Sequence, residues 1–180
     1  MSEVKTPWLK YYENVPAHLD YPDCSISDMV FRTAEMYPND TAYDFFGKET
    51  SYKVFAEKID QCAKALVNLG IKAGDHVTIC MPNTPQAVIM FYGLNRMGAV
   101  PNMIHPLSSE GEIAYYLNFS ESVAVLTLNQ FYNKIDNIRD QVKLKYIIIA
   151  AVAEELPAFK SVVFNLTSGR NLPKVTETEK

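Results

Sequence analysis

Apolar residues recur at two different spacings along the chain, and the change of spacing separates predicted helices from predicted strands. Four segments carry apolar side chains three or four residues apart, as one face of a helix requires; they lie within 29–36, 55–69, 87–97 and 113–117. Short apolar runs stand between the later helices: HVTICM, AVPNMI, SVAVLT and KYIII. Strands that alternate with helices predict a parallel sheet covered by helices. We therefore expect an α/β fold whose doubly wound sheet places the strands near these residues side by side: Val77, Val100, Val125 and Ile147.

Local capping chemistry marks where these helices begin and end. Hydroxyl side chains that can act as N-caps stand before four predicted helices; they are Ser27, Ser51, Thr84 and Ser109. Pro85 occupies a first helical position, and Glu112 completes a capping-box pattern with the serine three residues before it. Gly70 and Gly98 are expected to end the helices that precede them. A further helix is expected over residues 130–140 (QFYNKIDNIRD).

The first part of the chain has a different character. Residues 1–26 are rich in proline, tyrosine and aspartate and predict an extended N-terminal arm. The runs TAYDFF and ETSY flank Gly47 and Lys48, which predicts a small β-hairpin. Residues 27–180 are expected to form one α/β unit, since a chain of this length can bury a single sizeable core.

Composition and charge argue against several classes of protein. The formal net charge of −4 gives no reason to expect a nucleic-acid partner. Cys24, Cys62 and Cys80 are widely spaced and odd in number, which argues against a disulfide framework and against structural zinc. The longest apolar run, 146–153, is too short to span a bilayer, and the N-terminal residues lack the apolar core of a signal peptide. We expect a cytoplasmic protein with neither a metal site nor a transmembrane segment.

The stretch NLTSGRNLPK contains residue types that phosphate-binding loops use: Thr167, Ser168, Gly169, Pro173 and Lys174. Such a loop needs glycines that let successive backbone N–H groups approach the anion. Gly169 is the only glycine in this stretch, and the three residues after it are larger than the positions allow. The sequence therefore favours a surface turn, and a degenerate anion site is the alternative.

His105 is the remaining candidate for ligand binding. It follows the predicted strand AVPNMI, and ligands of open α/β sheets gather at the carboxyl ends of the strands. The alternative is a polar residue in a β–α turn. Other candidates have simpler interpretations as caps, turns or scattered surface residues: Ser108, Ser109, Asn83, Asp20, Asp23, Asp28, His18 and His76. From the residues alone we predict no catalytic, cofactor-binding or metal-binding residue.

The segment GIKAGDHVTICMPNTPQAVIMFYGLNRMGAVPNMIHPLSSEGEIAYYLNFSESVAVLT resembles the N-terminal region of adenylate-forming enzymes. These include acyl-CoA synthetases, firefly luciferase and the adenylation domains of peptide synthetases. With the upstream segments, the resemblance extends from Trp8 to about Thr127. The part NRMGAVPNMIHPLSSEGEI is more similar to fatty acyl-CoA ligases than to peptide synthetases, and His105 stands where many relatives have asparagine.

The resemblance implies an activity for a longer parent protein. Enzymes of this family couple a carboxylic acid to ATP, release pyrophosphate, and transfer the acyl group to coenzyme A with the help of Mg²⁺. Their phosphate loop and catalytic lysine lie downstream of the region matched here. We therefore expect an N-terminal fragment of a long-chain fatty acid–CoA ligase, part of the acyl-CoA synthetase fold. It would end before the phosphate loop, bind no ATP, Mg²⁺ or coenzyme A by itself, and be inactive alone.

Two other hypotheses remain open from the sequence. One is a free-standing α/β binding or regulatory module with a degenerate anion site. The other is a flavodoxin-like binder of small ligands that matches the pattern by chance. If the chain is a fragment, one helical layer should lack its cover, and we expect a homo-oligomer through that apolar face. The candidate layers are the helices that carry Phe91 and Leu94 or Tyr116 and Leu117.

Overall fold

The computed structural model of the chain describes residues 6–173 and residue 175. Its strands are β1 (Thr41–Phe45), β2 (Lys48–Ser51), β3 (His76–Cys80), β4 (Val100–Met103), β5 (Ala124–Leu128) and β6 (Tyr146–Ala150). Its α-helices are α1 (Ile26–Met36), α2 (Tyr52–Asn68), α3 (Pro85–Met97), α4 (Glu110–Phe119), α5 (Tyr132–Asp136) and α6 (Ala158–Leu166). None of the helices in this part of the chain combines the length and the apolar character needed to cross a bilayer.

The main sheet has four strands in the order β4-β3-β5-β6, and every neighbouring pair is parallel. The chain runs outward from β3 to β4, then crosses to the other side of β3 to form β5 and β6. The predicted doubly wound sheet, with those four strands adjacent, is confirmed. The predicted hairpin is confirmed as well, since β1 and β2 pair antiparallel around a turn at Phe46 and Gly47.

Helices cover both faces of this sheet. One face is packed by α3 and by the end of α2, and its fully buried side chains include Val77, Ile79, Leu94 and Ala124. The other face is packed by α4 and α5, and its fully buried side chains include Ile113, Val125 and Ile135. A third cluster lies under the hairpin, where Val30, Phe55 and Ile59 are buried.

Three of the four predicted N-caps are confirmed. Side-chain oxygens of Ser51, Thr84 and Ser109 accept backbone N–H groups three residues ahead. The prediction of Ser27 as the first cap is wrong, because Ser25 caps α1 and forms a capping box with Asp28. Ser27 is fully buried, and its backbone N–H donates to Asn95 Oδ1 at 2.9 Å.

The helix predicted over 130–140 is interrupted. Only α5 is α-helical there, between 3₁₀ turns at Asn129–Phe131 and Arg139–Gln141. The backbone N–H of Ile138 bonds to the carbonyl of Ile135, three residues back, which ends the α-helical pattern. Asparagine and aspartate are poor helix formers because their side chains compete for backbone bonds, and this segment contains several of them.

The N-terminal stretch has one short element, a 3₁₀ turn at Pro7–Tyr11, and no other helix or strand from residue 12 to residue 25. The domain boundaries remain a prediction. Leu94 and Leu117, which were named as parts of an uncovered layer, are 0% and 2% exposed and belong to the core. Tyr116, of the same helix as Leu117, is 38% exposed, and the expected homo-oligomer remains a prediction.

Candidate functional site at the carboxyl edge of the sheet

A cleft of about 500 Å³ opens at the carboxyl ends of β3, β4 and β5. Its lining comes from the loops after these strands: Met81, Pro82, Asn83, Met103, Ile104, His105, Pro106, Leu107 and Phe131. The chain reverses its direction of winding between β3 and β5, and ligands of such sheets bind at this switch point. The structure therefore places His105 and Asn83 at the same edge, as parts of one cleft.

His105 has a defined orientation in this cleft, although it is exposed. Its Nδ1 accepts the backbone N–H of Leu107 at 3.2 Å. The neutral ring then carries its proton on Nε2, so this atom is a hydrogen-bond donor. An asparagine side chain makes the same bond to the residue two positions ahead in an Asx-turn. The contact thus orients the imidazole in the way that an Asx-turn orients an asparagine side chain.

Lys134 of α5 fixes the loop that carries His105. Its ammonium group donates to the carbonyl oxygen of Ser108 at 2.8 Å and to that of Pro106 at 3.3 Å. The Ser108 N–H donates to the His105 carbonyl at 3.1 Å, which closes a turn inside the loop. Lys134 has no carboxylate partner among the described residues, and its ammonium group instead forms hydrogen bonds with two backbone carbonyls.

The lining of the cleft is mostly apolar. Met81 and Pro106 are buried beneath it, and Phe131 forms part of the wall. Ligand pockets of this size are typically apolar with a few polar groups that orient the ligand. No lysine or arginine is among the described lining residues. A triphosphate needs several cationic or backbone donors, so the cleft by itself does not fit ATP with Mg²⁺.

The described part of the stretch with the phosphate-loop composition forms the end of a helix followed by a turn. The Thr167 hydroxyl donates to the Val163 carbonyl at 2.8 Å, as in the last turn of a helix. A 3₁₀ turn follows at Ser168–Asn171, and the Leu172 N–H bonds to the Gly169 carbonyl. Lys174 lies outside the described residues. The backbone donors of residues 167 and 172 are therefore engaged within the chain.

The other candidates from the sequence take structural roles. Ser109 caps α4, and Ser108 holds the turn described above. Asp28 accepts bonds from Ser25 and lies 3.3 Å from Arg96 Nη1, while Asp20 and Asp23 lie in the exposed stretch before α1. His76 has a partner that the sequence did not reveal, since its Nδ1 lies 2.6 Å from the Ser120 carbonyl oxygen.

The thiols of Cys62 and Cys80 are not suited to nucleophilic chemistry at neutral pH. The three cysteines are free. Burial raises the pKa of the Cys62 thiol and the pKa of the Cys80 thiol to about 11 each, and in Cys80 the nearby Lys134 opposes this rise. The thiolate is the reactive form, so both groups stay protonated and inert. Within the described residues no cluster of three or more histidine, cysteine or carboxylate side chains could hold a metal ion.

Comparison with known proteins decides the family. The sequence profile of the AMP-binding enzyme family matches residues 30–177, which is most of the chain. The chain belongs to the AMP-binding enzyme family. The predicted resemblance to adenylate-forming enzymes is thereby confirmed, and the flavodoxin-like binder that matches by chance is excluded.

Relatives of this AMP-binding protein include fatty acid–CoA ligases. A long-chain-fatty-acid–CoA ligase of Bacillus subtilis (strain 168) is 29% identical over 162 residues, covering 89% of this chain and 29% of that protein. A fatty acyl CoA synthetase of Mycobacterium tuberculosis is 28% identical with a TM-score of 0.66, covering 73% of this chain and 28% of the other. A long-chain-fatty-acid–CoA ligase of Archaeoglobus fulgidus, 23% identical, shares the fold with a TM-score of 0.69, over 76% of this chain and 30% of the other. The chain thus spans less than a third of each relative's length.

Sequence reasoning missed two residues of the site. Phe131 and Lys134 come from a segment that was predicted as one continuous helix, without a role at the cleft. The only available signal was position, because the segment directly follows a strand of the parallel sheet. The carboxyl ends of neighbouring parallel strands share one edge, so residues just after β5 could have been assigned to it.

Proposed function

We propose that this chain forms the N-terminal α/β part of an ATP-dependent fatty acid–CoA ligase. The proposal is supported chiefly by the family match over residues 30–177. It is also supported by relatives that are long-chain-fatty-acid–CoA ligases, such as the Bacillus subtilis protein, of whose length the chain covers 29%. In this proposal the complete enzyme converts a fatty acid, ATP and coenzyme A into acyl-CoA, AMP and pyrophosphate by way of an acyl-adenylate. The described residues would supply the scaffold and the cleft at its carboxyl edge.

The groups that bind ATP and Mg²⁺ would come from other parts of that enzyme. The cleft has one imidazole and one exposed amide as its polar side chains, and these do not neutralise a triphosphate. We assign no step of adenylation to a residue of this chain for that reason. The 180-residue chain by itself would then bind neither ATP nor coenzyme A and would be inactive.

The compartment is also part of the proposal. Structural disulfides are typical of oxidising compartments, and free, buried thiols suit a reducing one. Cys80 is a free, buried thiol, and Cys62 is a free, partly buried one. We place the protein in the cytoplasm on this ground.

The decisive experiment is to sequence the transcript beyond the codon for Lys180 and to express its complete product. We expect the product to catalyse ATP–pyrophosphate exchange that depends on palmitate or oleate, and then to form the coenzyme A thioester. Reactions without fatty acid and reactions without Mg²⁺ are the controls. A transcript that stops at Lys180, with a product that shows no exchange, would contradict the ligase proposal and favour a binding or regulatory module.

A further inference from the structure

Hydroxyl side chains form a continuous hydrogen-bonded chain between the sheet and the end of α4. Thr78 Oγ1 lies 2.7 Å from Ser122 Oγ, which in turn lies 2.8 Å from Ser120 Oγ. At one end, Asn102 Nδ2 of β4 donates to Thr78 Oγ1 at 3.0 Å. At the other end, the Ser120 hydroxyl donates to the Tyr116 carbonyl of α4 at 2.8 Å. The chain of bonds therefore joins β4 to the last turn of α4 by way of the middle of β3.

The direction of these hydrogen bonds is set at both ends. An amide N–H can only donate and a carbonyl oxygen can only accept, whereas a hydroxyl can do both. Since the Ser120 proton points to the carbonyl, Ser122 donates to Ser120, and Thr78 in turn donates to Ser122. Each hydroxyl then donates one bond and accepts one, and the Asn102 amide is the first donor.

The middle of this hydrogen-bonded chain is shielded from water. Thr78 is fully buried, and Ser122 is 4% exposed. Alternate side chains of a strand share a face, so Thr78 lies on the same face as Cys80, which packs with Ile113 and Leu117 of α4. A buried polar group that loses its partner costs more than a formed bond contributes. The loss of one hydroxyl should therefore destabilise the contacts of its neighbours.

The two elements that these bonds join also carry the loop of the cleft. Asn102 belongs to β4, which leads into the loop, and Ser120 follows α4, which begins directly after the loop. At the start of the loop, the Ile104 N–H donates to the Ile79 carbonyl of β3 at 3.1 Å. Because the loop with His105 connects β4 and α4 directly, the separation of these elements determines where the loop can lie.

We propose that the hydrogen-bonded chain from Asn102 through Thr78 and Ser122 to Ser120 is a positioning network for the cleft. None of its residues lines the cleft. The network instead holds β4 against β3 beside the point where the loop begins, and it ties the end of α4 to the same place. Members of one network do not contribute independently, so removal of a second member after the first should change little. This role does not depend on the proposed ligase activity.

The test measures amide exchange at Ile104 in the complete product of the transcript, by mass spectrometry with residue-level fragmentation. Thr78→Val keeps the shape of the side chain and removes the hydroxyl, which leaves the Asn102 amide without its acceptor. Exchange at Ile104 should become roughly tenfold faster, as the loss of one buried hydrogen bond implies. Thr78→Ser keeps the hydroxyl and should restore most of the protection. Ser122→Ala is a smaller change in the same network and should also speed this exchange, which keeps the test open if Thr78→Val fails to fold.

Thr127→Val is the matched control for the loss of a buried hydroxyl. Thr127 is also fully buried, and it donates to the Cys80 carbonyl at 3.0 Å, outside the network, so its loss should leave exchange at Ile104 near the original rate. Thr78→Val combined with Ser122→Ala should exchange no faster than Thr78→Val alone. The proposal is overturned by unchanged exchange in folded Thr78→Val or Ser122→Ala proteins, or by equal acceleration in Thr127→Val. Failure of Thr78→Ser to restore protection, or multiplied effects in the double variant, would also overturn it.

Discussion

At the scale of single residues, the cleft depends on a few polar contacts that hold a loop in place. His105 faces the cleft because a backbone N–H occupies its Nδ1, and the loop around it is held by the ammonium group of Lys134. A charged donor that serves two carbonyls contributes more than neutral bonds do, because hydrogen bonds to charged groups are worth about 1.5–3 kcal/mol. Lys134 therefore positions the loop without lining the cleft itself.

The first prediction concerns this lysine. Lys134→Met keeps the aliphatic stem and removes the donors to Ser108 and Pro106, so the loop should open more often. Amide exchange of Leu107 and Ser108 should become roughly tenfold to hundredfold faster, as loss of one charge-assisted bond implies. Lys134→Arg should restore much of the protection, and Lys143→Met should have no effect. Unchanged exchange in a folded Lys134→Met protein would contradict the positioning role.

The second prediction concerns the contact between α2 and α3. A Cβ added at Gly93 would lie 2.9 Å from Cys62 Sγ and 3.1 Å from Cys62 Cβ. Overpacking of this kind costs about 1–3 kcal/mol, whereas alanine gains about 1 kcal/mol over glycine within a helix. Gly93→Ala should therefore lower the free energy of unfolding in urea, or at best leave it unchanged, despite the better helix former.

Two further variants give the Gly93 prediction its controls. Gly111→Ala, in α4, meets no atom within 4 Å and should stabilise the protein. Cys62→Ala combined with Gly93→Ala should recover most of the loss, because the sulfur is the nearest obstacle. If Gly93→Ala stabilised the protein as much as Gly111→Ala does, the prediction would be wrong, because α2 and α3 would then move apart without a cost in stability.

At the scale of elements, the helix N-termini are fixed by local hydrogen bonds. Ser25 with Asp28 and Ser109 with Glu112 form reciprocal capping boxes at α1 and α4. Bonds from the Ser109 backbone N–H and hydroxyl hold the pKa of Glu112 below its ordinary value, and bonds from the Ser25 hydroxyl and N–H lower the pKa of Asp28. Both helices thus prefer the ionised carboxylate.

The third prediction follows from the sign of these shifts. A carboxylate whose pKa is lower in the folded state stabilises the fold above its unfolded pKa, and this contribution is lost as pH falls through the folded pKa. Stability should therefore decline below the ordinary values of 4.5 for Glu112 and 3.8 for Asp28. Glu112→Gln should flatten part of this decline in urea titrations at several pH values. An unchanged pH profile would contradict the prediction.

Ser109→Ala is the matched test of the same cap at neutral pH. It removes the hydroxyl that accepts the Glu112 N–H at 3.3 Å. Loss of a serine cap costs about 1 kcal/mol, so the urea midpoint should fall by a corresponding amount. Ser108→Ala, one residue earlier, keeps the backbone turn and should change stability little.

At the scale of the whole molecule, the described residues form a sheet that helices cover on both faces, with a cleft at its carboxyl edge. The helices α3 and α4 protect its two faces, and the segment after β6 is tied to the hairpin and α2 through Glu155, which lies 2.7 Å from Lys58 and 3.4 Å from Lys48. This arrangement provides a scaffold and a binding edge. It does not bring together the charged groups that nucleotide activation needs.

The fourth prediction is catalytic silence of the isolated chain. Purified residues 1–180 should show no ATP–pyrophosphate exchange with any fatty acid, because no described constellation can hold a triphosphate. The complete transcript product, assayed in parallel, is the positive control. Exchange above background that Lys174→Ala abolishes would overturn this prediction and assign a working phosphate site to the NLTSGRNLPK stretch.

The sequence by itself determined most of the elements and showed the resemblance to their family. Helix caps such as Ser51, Thr84 and Ser109 were readable because each acts on backbone groups three residues away, and the parallel sheet was readable because its strands are continuous apolar runs. The same locality explains the error at α1, where two serines lie within reach of one helix start. Burial of Ser27 against Asn95, 68 residues away, was decided by tertiary packing.

Only the tertiary structure decided how the site is assembled and which surface is left open. Lys134 meets Ser108 across 26 residues, and His76 meets Ser120 across 44, so neither bond leaves a periodic signal in the sequence. Likewise, the run YIIIA has the pattern of a central strand, and strand order alone places it at an edge. Patterns along a chain report the local environment that each residue prefers. The partner that meets it is set by the path of the chain in space.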